Sequence, residues 1–325
     1  MGWVGFPDIT RADLSAAGYR AGWALTARLP QSVARRLFDA LADLASKRGK
    51  GPEQLRRNLA RVVGPENVTR DLVRRAMRSY LRYWREAFQL PILVQRSDLG
   101  ERLSTCIDET SVRRLERSIS SGRGVILALP HTGNWDMAGV YLVHAFGTFA
   151  TVAERLRPES LFEAFVNYRK SLGFEVLALS GGEQPPMQRL EEVLRSGGTV
   201  CLLGERDLTG RGVVVDFFGE PAALPTGPAR LALNCGAALH VVHIAFEGSA
   251  WRMLVGEEID VAGIASASDG SREAVTAMTQ AIADGFAANI ARWPEDWHML
   301  QKVWLADVSD SARTRVAEGE QGAGA

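Results

Sequence analysis

The sequence predicts an α/β fold, a central and mostly parallel sheet flanked by helices, and three features predict it. From Gly124 onward, short apolar runs alternate with helical patterns. A repeated strand-helix-strand order yields parallel pairing, because parallel strands need a crossover of a dozen or more residues. The region before about residue 90 is different: it carries helical periodicity interrupted by Pro and Gly, with no strand signal. Finally, 46% hydrophobic residues in a chain of 325 are enough to bury a large core.

Each element follows from its pattern. Val33, Leu37, Leu41 and Leu44 recur at helical spacing while Arg35, Arg36, Asp39 and Asp43 fall on other faces, so the segment is an amphipathic helix. An earlier helix holds Tyr19, Trp23, Leu25 and Leu29 and ends at Pro30. Its aromatics beside Arg20 and Arg28 suit a water–lipid boundary, although the same face also suits a core. A third helix over 71–88 carries Arg74, Arg75, Arg78, Arg82 and Arg85 as a basic stripe interleaved with Tyr80, Tyr83 and Trp84. At about 1 kcal/mol per cation near an anionic leaflet, such a stripe would matter for docking. Strands are then expected at 124–128, 149–153, 174–177, 199–203 and 239–247, with an antiparallel edge at 251–255. Helices are expected at 134–145, 158–172, 186–195, 226–234 and 271–290. Residues 217–219 and 224–228 read as loop and helix-start elements over the rim of the sheet. The division is therefore 1–95 for a helical, membrane-facing region packed on the rest, 96–308 for the α/β core, and 309–325 for a Gly- and Glu-rich tail.

Composition excludes several classes. Lys and Arg number 38 against 38 Asp and Glu, so no net field draws the whole molecule to nucleic acid, and no nucleic-acid partner is expected. Cations outnumber anions only before about residue 100. Cys106, Cys201 and Cys235 are scattered and odd in number, which indicates neither disulfides nor a zinc site and fits a reducing compartment. Residues 1–10 carry Asp8 and lack a basic start before an apolar core, so no secretory signal is expected. No apolar run reaches about 18 residues, so contact with a membrane would be made from one side. A nucleophile elbow, a P-loop, a dinucleotide fingerprint and a zincin motif are all missing.

The strongest chemical signal is Leu129-Pro130-His131-Thr132-Gly133-Asn134-Trp135-Asp136, set where a buried strand ends and a helix begins. Ligands of open α/β sheets bind at the carboxyl ends of strands. A turn containing Gly133 lets the chain fold back, so that Asp136 reaches one imidazole nitrogen of His131 and leaves the other free as general base. Asn134 and Thr132 are also placed to cap the helix. A second cluster, Gly204-Glu205-Arg206-Asp207, follows another strand; Glu205 suits a hold on His131 or on an acceptor, and Arg206 suits Asp207 or a phosphate. Glu154 and Arg155 end a third strand, and Asn167-Tyr168-Arg169 lies on the next helix. Charged groups converging on one rim suit a polar, phosphate-bearing substrate. His240 and His243 sit within a strand and do not suggest a metal, and Trp293-Pro-Glu-Asp-Trp-His298 reads as a structural aromatic turn.

Taken together, His131 to Asp136, Glu154-Arg-Leu-Arg-Pro158, Gly204-Glu-Arg-Asp207, Asp216-Phe-Phe-Gly219, Pro225-Thr-Gly-Pro228 and Pro294-Glu-Asp-Trp-His298 resemble the bacterial lipid A type acyltransferases. Within them the chain looks most like the actinobacterial phosphatidylinositol mannoside acyltransferases, with further support from residues 51–61 and 83–88. The resemblance covers nearly all of the chain except its tail. It implies an enzyme peripheral to the cytoplasmic face of the plasma membrane that takes acyl-CoA, palmitoyl-CoA or similar, as donor substrate and needs no cofactor or metal. The implied acceptor is the 6-hydroxyl of the mannose on the inositol 2-position of a phosphatidylinositol mono- or dimannoside. Carried over motif by motif, His131 is the base, Asp136 its partner and Glu205 a further carboxylate. Glu154 and Arg169, with Arg206, Asn134 and Arg155, would serve the substrates. Other lipid hydroxyls, of lysophosphatidate or lipid A type, are the nearest alternative, and a non-catalytic membrane-binding protein is a remote one. The strand at 239–242 lacks the proline that related acyltransferases often carry there.

Overall fold

The protein is described by a computed structural model over residues 22–308, apart from 24, 156, 183, 208 and 209. Tyr19 and the tail at 309–325 lie outside the described residues. The helices before the sheet include, among the described residues, α1 Gln31–Ala45, α2 Glu53–Val63, α3 Arg70–Leu93, α4 Leu99–Ser104 and α5 Glu109–Ser120. Thr69 starts α3 by accepting the Leu72 N–H at 3.1 Å, which satisfies one of the amides that a helix start leaves open. Helices α1, α2 and α3 share a small core of Ala42, Leu55, Leu59, Leu72, Val73 and Met77.

The alternating part of the chain then runs β1 Val125–Leu129, α6 Trp135–Phe146, β2 Phe149–Ala153, α7 Glu159–Ser171, β3 Glu175–Ala178, α8 Pro186–Arg195 and β4 Thr199–Leu203. It continues through β5 Val213–Phe217, β6 Glu220–Leu224, α9 Gly227–Cys235, β7 Ala238–Glu247, β8 Ala250–Glu258, α10 Val261–Ala267 and α11 Ser271–Ile290. The main sheet has the order β3-β2-β4-β1-β7-β8, parallel except for β8, which runs antiparallel to β7 at the edge as the sequence suggests. A strand buried on both faces reads as a continuous apolar run, and β1, Val-Ile-Leu-Ala-Leu, is buried throughout.

One stretch departs from expectation. Residues 217–219 are not a loop over the rim but the end and turn of a separate antiparallel hairpin of β5 and β6, paired from Val213↔Leu224 to Phe217↔Glu220, whereas 224–228 lead into the start of α9 at Gly227 as expected. Val215, Phe217, Ala222 and Leu224 of that hairpin are buried against the main core.

Side chains alternate across the sheet, and its two faces are covered differently. Ile126, Ala128, Val200, Leu202, Leu239 and Val241 pack with α8, α9, α11 and the hairpin. Leu127, Leu129, Val242, Cys201 and Leu203 face α3, α5, α6 and α7. Register fixes what stands at the rim, since Leu129 of β1 pairs with Leu203 of β4. His131 and Glu205, each two residues further on, therefore leave the sheet side by side.

Candidate active site

The turn after β1 is built around Gly133, whose φ is +54 and where a Cβ would come within 2.6 Å of the Ile244 carbonyl oxygen. A residue with a side chain would be both strained and obstructed there. Asn134 then caps α6, accepting the Met137 N–H at 3.0 Å, and the turn is tied down on its far side. Gly133 N–H donates to the Asp296 carbonyl at 3.0 Å and His298 N–H donates to the His131 carbonyl at 2.8 Å.

The His131 ring lies on a buried carboxylate. Its Nδ1 is 2.7 Å from Glu205 Oε1, and the same oxygen accepts the His131 backbone N–H at 2.5 Å. Glu205 is fully buried, and its second oxygen has no hydrogen-bond partner among the described residues, while the imidazole keeps 27% of its side-chain surface exposed. An anionic carboxylate only accepts, so Nδ1 carries the proton and Nε2 presents its lone pair. Such a pair can remove a proton from a hydroxyl delivered to the open nitrogen.

The carboxylate on Nδ1 is thus Glu205, where the turn alone suggests Asp136. Asp136 is buried at the first turn of α6 and is committed elsewhere. Its Oδ1 accepts Arg169 Nε–H at 2.9 Å and its Oδ2 accepts the Tyr83 hydroxyl at 3.0 Å. Burial, and then the Asp136 charge, pushes the Tyr83 hydroxyl well above its usual range. Burial works against the charge on Arg169, but Asp136 and Tyr83 more than offset it, and its pKa rises. Asp136 therefore fixes a buried guanidinium and a buried phenol on the inner side of the His131 turn.

The remaining sequence candidates divide. Asn134 is fully buried and donates to Glu86 Oε2 at 2.9 Å, so it builds the turn and faces no open space. Arg155 is engaged with Glu159 and with the carbonyls of Ser180 and Gly181, as a clasp on its own loop. Arg206 and Glu154 stand 3.8 Å apart across the ends of β4 and β2, each partly exposed, and form the polar lip nearest to open solvent. Asp207 accepts the N–H groups of Gly210 and Gly212 and shapes the following turn.

Sequence reading missed Glu86 as a hub. It accepts from Arg82, Arg85, Asn134 and the Trp251 indole, and so joins α3 to the His131 turn and to β8. The detectable signal was an acid directly after Arg85 and four residues after Arg82 on a helix rich in cations. It also missed Tyr83 as a partner of Asp136, although Tyr83 stacks on Trp135 with centroids 3.8 Å apart, next to the His131 ring.

Beside this constellation a narrow apolar slot enters the protein between α6 and the sheet, with a cavity volume of about 60 Å³. Trp135, Asp136, Thr151 and Arg169 are the polar part of its lining; Leu127, Leu142, Phe174, Cys201 and Met253 are among the apolar part. Gly139 helps to line it, and a Cβ there would meet the Phe174 ring at 2.5 Å and the Phe149 ring at 3.0 Å. The glycine therefore allows α6 to lie this close to both aromatics.

A base on a buried acid, next to an apolar slot at the carboxyl end of a parallel sheet, suits transfer of a long-chain group to a hydroxyl. The family model for bacterial lipid A biosynthesis acyltransferases matches residues 13–306. The chain belongs to that family. This acyltransferase is 54% identical over 301 residues to the phosphatidylinositol mannoside acyltransferase of Mycolicibacterium smegmatis, an alignment covering 92% of this chain and 94% of that protein. It is also 51% identical over 311 residues to the phosphatidylinositol mannoside acyltransferase of Mycobacterium tuberculosis, covering 95% and 94%.

Proposed function

We propose that this acyltransferase moves a fatty acyl group, palmitoyl by preference, from acyl-CoA to the 6-hydroxyl of the mannose on the inositol 2-position of a phosphatidylinositol mono- or dimannoside. The observation that carries this reading is the His131–Glu205 pair on a turn whose Trp135 and Asp136 line an apolar slot. The acceptor class comes from the names of the two relatives.

In this mechanism the acyl chain lies in the slot with its thioester carbon near His131. Nε2 takes the hydroxyl proton as the sugar oxygen attacks that carbon. Glu205 stabilises the imidazolium, and the tetrahedral intermediate collapses with cleavage of the C–S bond. The departing thiolate takes the proton back, so the base is restored. Arg169, held by Asp136, directs positive charge toward the polar end of the slot, where the acyl oxygen gains negative charge. Arg206 and Glu154 face the headgroup.

The protein works at a membrane surface, at the cytoplasmic face, through its N-terminal helices. The arginine stripe of α3 is a poor candidate for the contact, because Arg74 and Arg78 pair with Asp43, Arg75 with Asp71, and Arg82 and Arg85 with Glu86. The apolar residues left exposed are better suited: Leu25, Val33, Leu37, Leu41, Leu44 and Ile92, with Leu44 exposed at 76%. Among the described residues no helix is long and apolar enough to cross a bilayer.

The test is transfer of labelled palmitate from palmitoyl-CoA to purified mannosides, with lysophosphatidate and a lipid A precursor as competing acceptors. His131→Ala is expected to lose about 10² to 10⁴ in rate. Full activity in that variant would remove the mechanism, and equal use of lysophosphatidate would remove the acceptor assignment.

A further inference from the structure

Behind the catalytic turn lies a second buried polar cluster that takes no part in the chemistry described above. Asp296, in the short helical turn Pro294–Asp296, is 3% exposed. Its Oδ1 accepts the Ser79 hydroxyl at 2.6 Å and its Oδ2 accepts the Phe246 backbone N–H at 2.7 Å. Ser79 Oγ is also 2.9 Å from His298 Nε2. The single hydroxyl proton goes to the carboxylate, so the imidazole is the donor in that second bond. His298 is itself buried, and its ring lies among Tyr80, Tyr83, Trp135 and Phe246, with centroids 5.7–6.3 Å away.

The backbone of these residues grips the turn that carries His131. The Asp296 carbonyl accepts from Gly133 N–H, His298 N–H donates to the His131 carbonyl, and Thr132 bridges Trp297 between them. Residues 131–133 thus form a short antiparallel ladder with 296–298. The side chains of the second segment are in turn anchored to α3 through Ser79 and to the end of β7 through Phe246.

A buried carboxylate is costly, and an apolar side chain in its place often stabilises a protein as well or better. Stability alone therefore does not account for Asp296. Its two side-chain bonds fix how α3, β7 and the 296–298 segment stand relative to one another, and the segment fixes the backbone on both sides of Thr132. We infer that Asp296, with Ser79 and His298, is a positioning clamp that holds the His131 turn in register with Glu205. This rests on His131 being the base. A displacement of about 1 Å at a reacting group can cost about 10²-fold in rate, so a clamp two contacts away has room to act strongly.

The test uses the full-length acyltransferase with Ser79→Ala, which deletes one hydroxyl, and Asp296→Asn, which keeps the shape. Both are compared with the unaltered protein for kcat, KM for each substrate, melting temperature and the ¹⁵N resonances of the His131 ring. The expected result is a fall in kcat of about 10- to 100-fold, with KM within about twofold and a shift of the His131 ring resonances, at a temperature where the variants remain folded. If Asp296→Asn does not fold, Ser79→Ala carries the test alone. Unchanged kcat per folded molecule with unchanged ring resonances, whatever the melting temperature, would overturn the clamp. Loss of activity in His131→Ala alongside full activity in the clamp variants would sink this inference alone. Activity retained in His131→Ala would instead sink the assignment of the base.

Discussion

The two faces of the main sheet are built from the same strands and do different work. On one, Ile126, Val200, Leu202 and Leu239 meet α9 and α11 in a continuous core with Phe286, Ile282 and Met278. On the other, Leu127, Cys201 and Leu203 line a slot whose further lining includes Gly139 on α6 and the paired rings of Phe149 and Phe174. Strand alternation assigns each residue to its face. One face is closed and the other borders the slot proposed to hold the acyl chain, so substitutions only one position apart along a strand should act on different properties.

The largest effect on stability should come from the closed face. Phe286→Ala removes a fully buried ring and should cost about 3–5 kcal/mol by urea unfolding, with the preference for acyl chain length unchanged. A change in chain-length preference would show that the two faces are not separable.

Asp296 bridges the two sides and gives a pH signature of intermediate size. Burial raises its pKa to about 6, against hydrogen bonds from Ser79 and Phe246, with Glu295 adding to the rise and Arg82 opposing it; His298 is the other titratable neighbour, driven down to about 3 by burial. A pKa higher in the folded than in the unfolded state favours folding at low pH. Its contribution is fully present below about 4 and is lost as pH rises through about 6. The size is on the order of 3 kcal/mol for a rise of about two units. Unfolding midpoints measured from pH 4 to 7 should fall in the unaltered protein relative to Asp296→Asn. Parallel curves would contradict the burial argument.

Filling the slot should do little to the fold and more to selectivity. Cys201→Met adds bulk where there is open space, so stability should change by less than about 1.5 kcal/mol. Excluding about two methylenes of a long chain, at about 0.8 kcal/mol each, predicts a roughly tenfold fall in kcat/KM for long donors relative to short ones. An unchanged donor profile would mean that the slot does not hold the chain.

The smallest effect belongs to the outer helical layer. Asp43 is held at about 2, chiefly by its hydrogen bond to Arg78 and then Arg74, against partial burial. Its contribution is present above about 4 and is lost as pH falls through about 2. Because the pair is well exposed, Asp43→Asn should cost no more than about 1 kcal/mol at pH 7. A larger loss would make this layer part of the scaffold.

Much of this could be read from the chain, and the failures have physical causes. Strands and crossover helices from β1 to β4, together with β7 and α11, were legible because apolar runs and helical periods alternate cleanly there. The hairpin was hidden by its turn: Phe218 and Gly219 are the two loop residues and both have positive φ, at +56 and +78. Such turns usually announce themselves with Asn-Gly or Asp-Gly, and Phe at the first position gives no such signal. At the site, the strand ends and His131 were legible, but the choice between Asp136 and Glu205 was not. It depends on the β1–β4 register, a pairing across 74 residues that local spacing does not encode. The pairing of the arginine stripe was hidden for a similar reason, since Asp43 lies 31 and 35 residues before Arg74 and Arg78.

The division between a scaffold face and an acyl-binding face is tested most directly by photo-crosslinking with an acyl-CoA that carries a diazirine in its chain, followed by mapping of the labelled peptides. The account predicts label on slot residues such as Leu142, Cys201 and Met253, lost when excess palmitoyl-CoA competes. Label confined to the Phe286 side of the sheet, or to the outer residues Val33, Leu37 and Leu41, would contradict it.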